Sequence, residues 1–314
     1  MPSAPPDGDV ARFTADLTHL IGAQPGRLAL AISGGPDSLA LLLLTHAAGF
    51  HCAAATVDHG LRAEGTQEAA FVGTICAKLG VAHSILTLGA PDKGNLSDWA
   101  RDARYDALAQ WMDGGNFAYL LTAHHADDQL ETMIMRLNRG SGVAGLSGIR
   151  AKRGNVARPL LGWRKTELMA LVAACGVNAV DDATNRDDRF DRARLRKELA
   201  RADWLDPLAA THSASALAEA EEALIWTAKA YENRRVGEQG GTISFDPKGL
   251  PRELVRRIIL SCLRRIIPGV EPRSDAIDRL ISALERGQTV TLAGVKCTGG
   301  AFWLFSLAPL RKTF

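Results

Sequence analysis

The densest chemistry in this chain lies in six residues, Ser33-Gly34-Gly35-Pro36-Asp37-Ser38, set between an apolar run and a helical pattern. Gly34 and Gly35 carry no Cβ to hold an anion away from the main chain. Main-chain N–H groups there, with the hydroxyls of Ser33 and Ser38, can cradle phosphate oxygens at a helix N-terminus. Asp37 is out of place in an anion cradle unless it holds a cation, and Mg2+ bridging phosphates is the cation that suits it. The lysine-bearing glycine-rich string of ordinary γ-phosphate kinases and GTPases is missing. A strand-to-helix turn built from small residues is the plain structural alternative.

Three further segments concentrate polar chemistry. Asp58-His59-Gly60-Leu61-Arg62 follows a second apolar run, where it forms either a polar turn or a wall for adenine and ribose. Thr122 to Thr132 holds His124, His125, Asp127, Asp128 and Glu131. On a helix Asp127 and Glu131 are i,i+4 neighbours, and Asp128 and Glu131 are i,i+3. Acids at a helix start are favoured by its dipole, yet this set also suits Mg2+, an amine, or a proton in transit. A zinc-protease site is disfavoured, since the HExxH spacing is missing. Gly140, Gly142, Gly145 and Gly148 then demand a tight loop, either packed on itself or open to a large ligand. Finally, residues 186–201 hold seven basic side chains against four acids. That is a solvated helix face, or, beside a nucleotide site, a grip on RNA phosphates by Arg192, Arg194 and Arg196.

These segments need a scaffold that brings loop ends together. Short apolar runs at Arg27–Ile32, Cys52–Val57, Ala82–Leu88 and Phe117–Thr122 alternate with helical patterns, including Thr66–Leu79, a helix capped by Asn95 or Ser97, and Ala126–Arg139. That alternation predicts an α/β fold, a doubly wound parallel sheet whose ligand sits beyond the carboxyl ends of the strands. After about residue 200 the pattern changes. Ala209–Arg235 and Pro251–Ile267 read as helices, the second with an apolar arc of Leu254, Val255, Ile258, Ile259, Cys262, Leu263 and Ile266 opposite Arg256, Arg257 and Arg264. Thr289–Leu292 and Ala301–Leu307 read as two short strands around Gly299-Gly300. The expected division is residues 1–205 for the nucleotide domain and 206–314 for a smaller, mainly helical α+β domain, with the arginine face as a second basic patch.

Composition narrows the class. The 314 residues are 46% hydrophobic and 23% charged, which excludes a disordered or fibrous chain. Thirty-seven Lys and Arg against 35 Asp and Glu leave +2, so an anionic partner must be met by local patches. Five cysteines in no CxxC pair disfavour a disulfide framework and an iron–sulfur site, and fit a reducing cytoplasm. No apolar run is long enough to span a bilayer, and the opening MPSAPPDGDV reads as a frayed tail without a signal pattern.

The loop SGGPDS resembles the SGGxDS signature of the PP-loop ATP pyrophosphatases, which implies cleavage of ATP to AMP and pyrophosphate. With VDHGLR (57–62), TAHHADDQLET (122–132), RGSGVAGLSG (139–148), RPLL (158–161) and DATN (182–185), in that order, the sequence is similar to the tRNA(Ile)-lysidine synthases over about residues 27–200. It departs from that pattern at Ala179-Val180, where the family carries tryptophan, and at Ala193, where asparagine is common. The resemblance implies adenylation of the oxygen on carbon 2 of the wobble cytidine of a CAU-anticodon tRNA(Ile), with pyrophosphate leaving, followed by displacement of AMP from carbon 2 by the ε-amine of free L-lysine. It further implies ATP contact by Ser33, Gly34, Gly35, Pro36, Asp37, Ser38, Asp58, His59 and His124. Asp37 would anchor Mg2+, Asp128 would serve as base or amine holder beside Glu131, and His124 or His125 would touch phosphate or the target base. Asp37, Asp128 and Glu131 are thus the expected catalytic set, and the C-terminal domain a tRNA-docking module. No membrane is implied, and a homodimer stays open. The alternatives are another PP-loop ligase, above all a tRNA thiolase, and a non-catalytic ATP sensor.

Overall fold

The computed structural model describes residues 1–58, 60, 63–89, 96–179, 191–199 and 201–309. Its contacts divide the chain into two compact units, Met1–Ala218 and Glu219–Phe314.

The first unit contains α1 (Asp7–Ile21), β1 (Leu28–Ala31), α2 (Pro36–Ala47), β2 (Cys52–Asp58), α3 (Ala63–Leu79), β3 (Ala82–Thr87), α4 (Leu96–Gly115), β4 (Tyr119–Leu121), α5 (Ala126–Asn138) and α6 (Val143–Leu146). There follow β5 (Lys152–Arg153), β6 (Val156–Ala157), α7 (Lys165–Ala174) and α8 (Asp191–Leu199). The sheet order is β3-β2-β1-β4-β6-β5, parallel except for the short β5 at one edge. The expected doubly wound α/β sheet is therefore present, extended by two strands of two residues that carry no readable period.

β1 explains the layering. Leu28 and Leu30 point to one face, in a core shared with α1, α2, α3 and α7, whereas Ala29 points to the other, with Leu108 and Met112 of α4. Right-handed crossovers put α2 and α3 on one face as the chain steps from β1 to β3, and α4 on the other as it returns to β4. The strand order thus reverses between β1 and β4, so the loops after these two strands open into one crevice. Both carry the motifs singled out above.

The opening segment is a correction. Residues from Asp7 form α1, not a frayed tail, because Phe13, Leu17 and Ile21 recur at helical spacing and are buried. Even Ser3 is tied down, its N–H donating to Cys175 O at 2.9 Å. Asn95 lies outside the described residues, as does the side chain of Ser97, the two caps expected for α4.

α9 (Pro207–Arg235) runs from the first unit into the second. The second unit continues with β7 (Val236–Gln239), β8 (Thr242–Phe245), α10 (Arg252–Ile266), α11 (Ser274–Glu285), β9 (Thr289–Leu292), β10 (Val295–Thr298) and β11 (Trp303–Leu307). Its five strands form an antiparallel sheet, β7-β8-β11-β10-β9, against the α10 and α11 core. The sheet is larger than the two strands expected, since a hairpin at Gly240-Gly241 adds β7 and β8, and β10 lies between the two strands foreseen. The α10 arc is buried as its period requires, with Ile258, Ile259, Cys262 and Leu263 almost fully enclosed. The arginines opposite it are charge-balanced. Arg257 grips Glu221 through two 2.7 Å hydrogen bonds, Arg256 holds Glu253 and Asp278, and Arg264 holds Glu271. A basic patch in one helix is offset here by Glu253 of the same helix and by acids from its neighbours. Among the described residues no helix is long and apolar enough to cross a membrane.

Candidate active site

The loop after β1 closes on itself. Gly34 adopts φ +90°, the left-handed region that favours glycine. Gly35 is the N-cap of α2, Pro36 opens the helix, and Asp37 lies in its first turn. The Ser38 hydroxyl donates to Gly35 O at 2.9 Å and accepts from the Ser33 N–H at 3.2 Å, while the two serine oxygens lie 3.3 Å apart. The cradle is therefore preformed from residues of the loop alone.

The loop after β4 delivers His124, His125 and the start of α5. His125 is the N-cap, and Asp128 accepts its backbone N–H at 3.2 Å, which satisfies one orphan donor of the helix start. The His125 side chain is nearly fully buried. Its Nε2 lies 3.4 Å from Asp37 Oδ2 and 3.4 Å from Asp128 Oδ2, and its Nδ1 lies 3.6 Å from Asp127 Oδ2. Burial alone would lower the imidazole pKa, but Asp127, Asp37 and Asp128 outweigh it and push it up to about 10. His125 is therefore a buried imidazolium joining the α2 start to the α5 start. The sequence leaves it as an alternative to His124, because its contact with Asp37 joins the ends of two neighbouring strands that lie far apart along the chain. The imidazole of His124 instead pairs with the Thr122 hydroxyl at 3.0 Å.

Asp127, expected as part of the acidic set, makes architectural contacts. It accepts the Lys165 N–H at 2.8 Å at the first residue of α7. Burial would raise its pKa, but His125, the Lys165 N–H and Arg164 hold it below the usual range. For Asp128 burial is likewise outweighed, by His125, Arg192 and His124, and the carboxyl is held low.

Asp128 and Glu131 share one helix face, and α8 meets them there. Arg192 donates to Glu131 Oε2 at 2.8 Å and to Asp128 Oδ1 at 3.0 Å. Arg196 donates to Glu131 Oε1 at 2.6 Å and Oε2 at 3.0 Å. Two of the three arginines read as RNA contacts are thus seated on the acid pair, while Arg194 lies on the exposed side of α8. The i,i+4 spacing of Arg192 and Arg196 matches the i,i+3 spacing of the acids, a complementarity that becomes visible only once α5 and α8 are known to meet.

Asp58 is almost buried, with Oδ1 accepting the Gly60 N–H at 2.9 Å and Oδ2 the Thr66 hydroxyl at 2.8 Å, so it fixes the turn from β2 into α3. His59 lies outside the described residues. In the glycine-rich loop, Gln129 donates to and accepts from the backbone of Ile149, and Arg136 donates to the carbonyls of Gly145 and Gly148. These clamps hold the loop beside α5, and Gly148 is packed so closely on Gln129 that no Cβ would fit there.

The sequence profile described as a PP-loop domain matches residues 9–203. A tRNA(Ile)-lysidine synthase from Novosphingobium aromaticivorans is 42% identical over 317 aligned residues, covering 98% of this chain and 96% of that protein. One from Zymomonas mobilis is 38% identical over 296, covering 91% and 90%. Among solved structures, a U34-tRNA thiolase from Methanococcus maripaludis superposes with a TM-score of 0.55 at 16% identity, over 67% of this chain and 79% of that one, a likeness of fold. A chain whose phosphate loop, acid pair and strand order arise as described, and which aligns with these synthases almost end to end, belongs to the tRNA(Ile)-lysidine synthase family of PP-loop proteins.

Proposed function

We propose that this protein is a cytoplasmic ligase that joins L-lysine to carbon 2 of the wobble cytidine of a CAU-anticodon tRNA(Ile), with ATP converted to AMP and pyrophosphate. The observation that carries the reading is one contact chain. A preformed phosphate cradle at Ser33–Ser38 is linked through His125 to a carboxylate pair, Asp128 and Glu131, which suits adenylation beside a seat for a cationic nucleophile. The near full-length similarity to tRNA(Ile)-lysidine synthases supports lysidine formation on tRNA(Ile).

The reaction has two steps. The C2 oxygen of cytidine attacks the α-phosphorus of ATP, pyrophosphate leaves, and the oxygen becomes part of a good leaving group. The ε-amine of lysine then attacks carbon 2 and AMP departs with that oxygen. Ser33, Gly34, Gly35, Pro36 and Ser38 would hold the phosphates through main-chain N–H groups and hydroxyls. Asp58, which shapes the β2 end, His59 and His124 would border the rest of the nucleotide. The amine must lose its proton before attack. Asp128, held low by its neighbours, is a weak acceptor for that proton, so it fits an ammonium holder better than a base.

Asp37 fits a divalent cation. Its Oδ1 is buried without a hydrogen-bond partner, and Mg2+ takes one or two carboxylates and completes its shell with phosphate oxygens and water. Bound there, Mg2+ would offset the charge on the leaving pyrophosphate. Arg194 would meet tRNA backbone, with the C-terminal unit as a further docking surface.

A thiolase reading is disfavoured by its own chemistry. Burial pushes the Cys52 thiol up to about 11 and those of Cys76, Cys262 and Cys297 to about 12, where no reactive thiolate forms at neutral pH.

The test is turnover with ATP, Mg2+, radiolabelled lysine and a CAU-anticodon tRNA(Ile) transcript, with elongator tRNA(Met) as control. Label fixed to the isoleucine transcript alone, with one AMP per lysine, is expected. AMP release without lysine incorporation, or equal labelling of both transcripts, would overturn the assignment.

A further inference from the structure

The seat for the amino-acid cation is already filled from within the protein. Glu131 is almost wholly enclosed, and both of its oxygens accept guanidinium N–H groups. Asp128 is used as fully, with Oδ1 on Arg192 and Oδ2 on the His125 N–H beside the imidazolium. Two carboxylates face two guanidiniums, and the His125 ring beside Asp128 is shared with Asp37 and Asp127, so the acid pair has no uncompensated charge as it stands. A lysine ammonium entering such a cluster would lose its water and find no uncompensated charge.

The layering says which partner can leave. The side chains of Arg192 and Arg196 are 41% and 31% exposed, against 14% for Asp128 and 3% for Glu131. The arginines therefore cover the acids from the solvent side, and a partner that draws a guanidinium outward uncovers a carboxylate below. The group most able to do so is a phosphate, which takes guanidinium forks in the same bidentate geometry as a carboxylate. The phosphate cradle is one side chain away, since His125 touches both Asp37 of that loop and Asp128 of the pair.

We propose, resting on the functional reading above, that Arg192 and Arg196 are positioning residues that stand in for the substrate ammonium and make its binding conditional on a polyanion at the adjacent cradle. Lysine then binds after ATP, because the triphosphate takes an arginine and leaves the acid pair one negative charge to spare. Linkage makes the effect mutual, so lysine tightens nucleotide binding by the same factor.

Calorimetric titration of L-lysine into the full-length protein tests this, with four arms: protein alone, with α,β-methylene-ATP and Mg2+, with the tRNA(Ile) transcript, and with both. Lysine should bind roughly tenfold or more tightly when the analogue is present, within the usual range of coupling between sites. Arg192→Ala should raise lysine affinity for the protein alone and bring the factor towards one. Arg192→Lys, which keeps the charge and loses the fork, should fall between the two. A thermal midpoint for each variant separates this from misfolding, and Arg196→Ala is the substitute should Arg192→Ala not fold. Equal lysine affinity in all arms would overturn the inference, and so would coupling that survives both alanine variants. Lysidine formation with no lysine binding in any arm would also overturn it. Failure of lysidine formation itself, with no lysine bound in any arm, would instead refute the functional reading.

Discussion

Gly148→Ala isolates the loop beside the acid pair. Gly148 sits at φ +64°, and a Cβ built there would lie 2.5 Å from Gln129 Oε1, 2.7 Å from its Cδ and 2.8 Å from its Nε2. The amide cannot yield cheaply, because Gln129 is 2% exposed and holds the Ile149 backbone with bonds of 2.6 and 3.2 Å. Left-handed backbone costs a residue with a Cβ about 1–2 kcal/mol. Displacing the amide loses two hydrogen bonds of about 0.5–1.5 kcal/mol each, or strands a buried amide. The expected loss is about 3 kcal/mol, or roughly 6–12 °C in Tm for a unit of this size. Thermal and urea unfolding followed by circular dichroism would measure it. Gly142→Ala is the matched comparison, since Gly142 has φ −77° and nothing within 4 Å of its added Cβ. It should cost less than about 0.5 kcal/mol, the usual range for a substitution clear of buried contacts. Equal midpoints for the two variants would refute the packing argument. Normal stability with lost turnover in Gly142→Ala would instead place a ligand against that residue.

Three other outcomes are expected. The folded pKa of His125, about 10, lies above the unfolded value of 6.5, so its charge stabilises fully below about pH 6.5 and progressively less towards pH 10. The gap in urea midpoint between the protein and His125→Gln, measured in EDTA, should therefore narrow as pH rises from 6 to 9, and a constant gap would contradict the buried imidazolium. In the C-terminal unit, Arg257→Ala strands the buried Glu221 carboxylate and should cost about 2–4 kcal/mol by urea unfolding. Arg264→Ala, whose pair with Glu271 is exposed, should cost under about 0.5 kcal/mol, and similar losses in both would refute that distinction. Native protein at pH 8 should resist thiol labelling at the buried Cys76, Cys175, Cys262 and Cys297, with the partly buried Cys52 reacting slowly because its thiol is pushed up to about 11, and all five should react in denaturant; rapid labelling of the buried four would show an accessible thiolate.

What was legible in the sequence follows physical reach. The first four strands of the sheet could be read from apolar runs, and the α10 arc from its period, because each is a local pattern. α1 is obscured in the sequence by the prolines before it and by Asp7, Gly8 and Asp9 in its first turn, although Phe13, Leu17 and Ile21 carry its buried face. The β7–β8 hairpin had an available signal in Gly240-Gly241, both at positive φ, whereas β5 and β6 are too short to have one. In the site, residue types could be read and their partners could not. Nothing local connects Asp37 to His125, or Arg192 and Arg196 to acids more than sixty positions earlier. The arginines consequently read as a surface for phosphate, when two of the three are turned onto carboxylates.

The helix at the start of the chain reaches farther than its position suggests. Asp16 accepts the indole N–H of Trp163 at 3.0 Å, Arg12 stacks 4.0 Å above the same ring, and Trp163 O accepts the N–H of Ala126, the first residue of α5. The opening residues look disposable by composition, which invites a trimmed protein for crystallisation or a tag fused close to α1. Such trimming would loosen the indole that steadies the start of α5, and a loss of turnover could then be mistaken for damage to the chemistry. Tags and truncations on this chain are better judged by the hydrogen bonds their residues make than by composition.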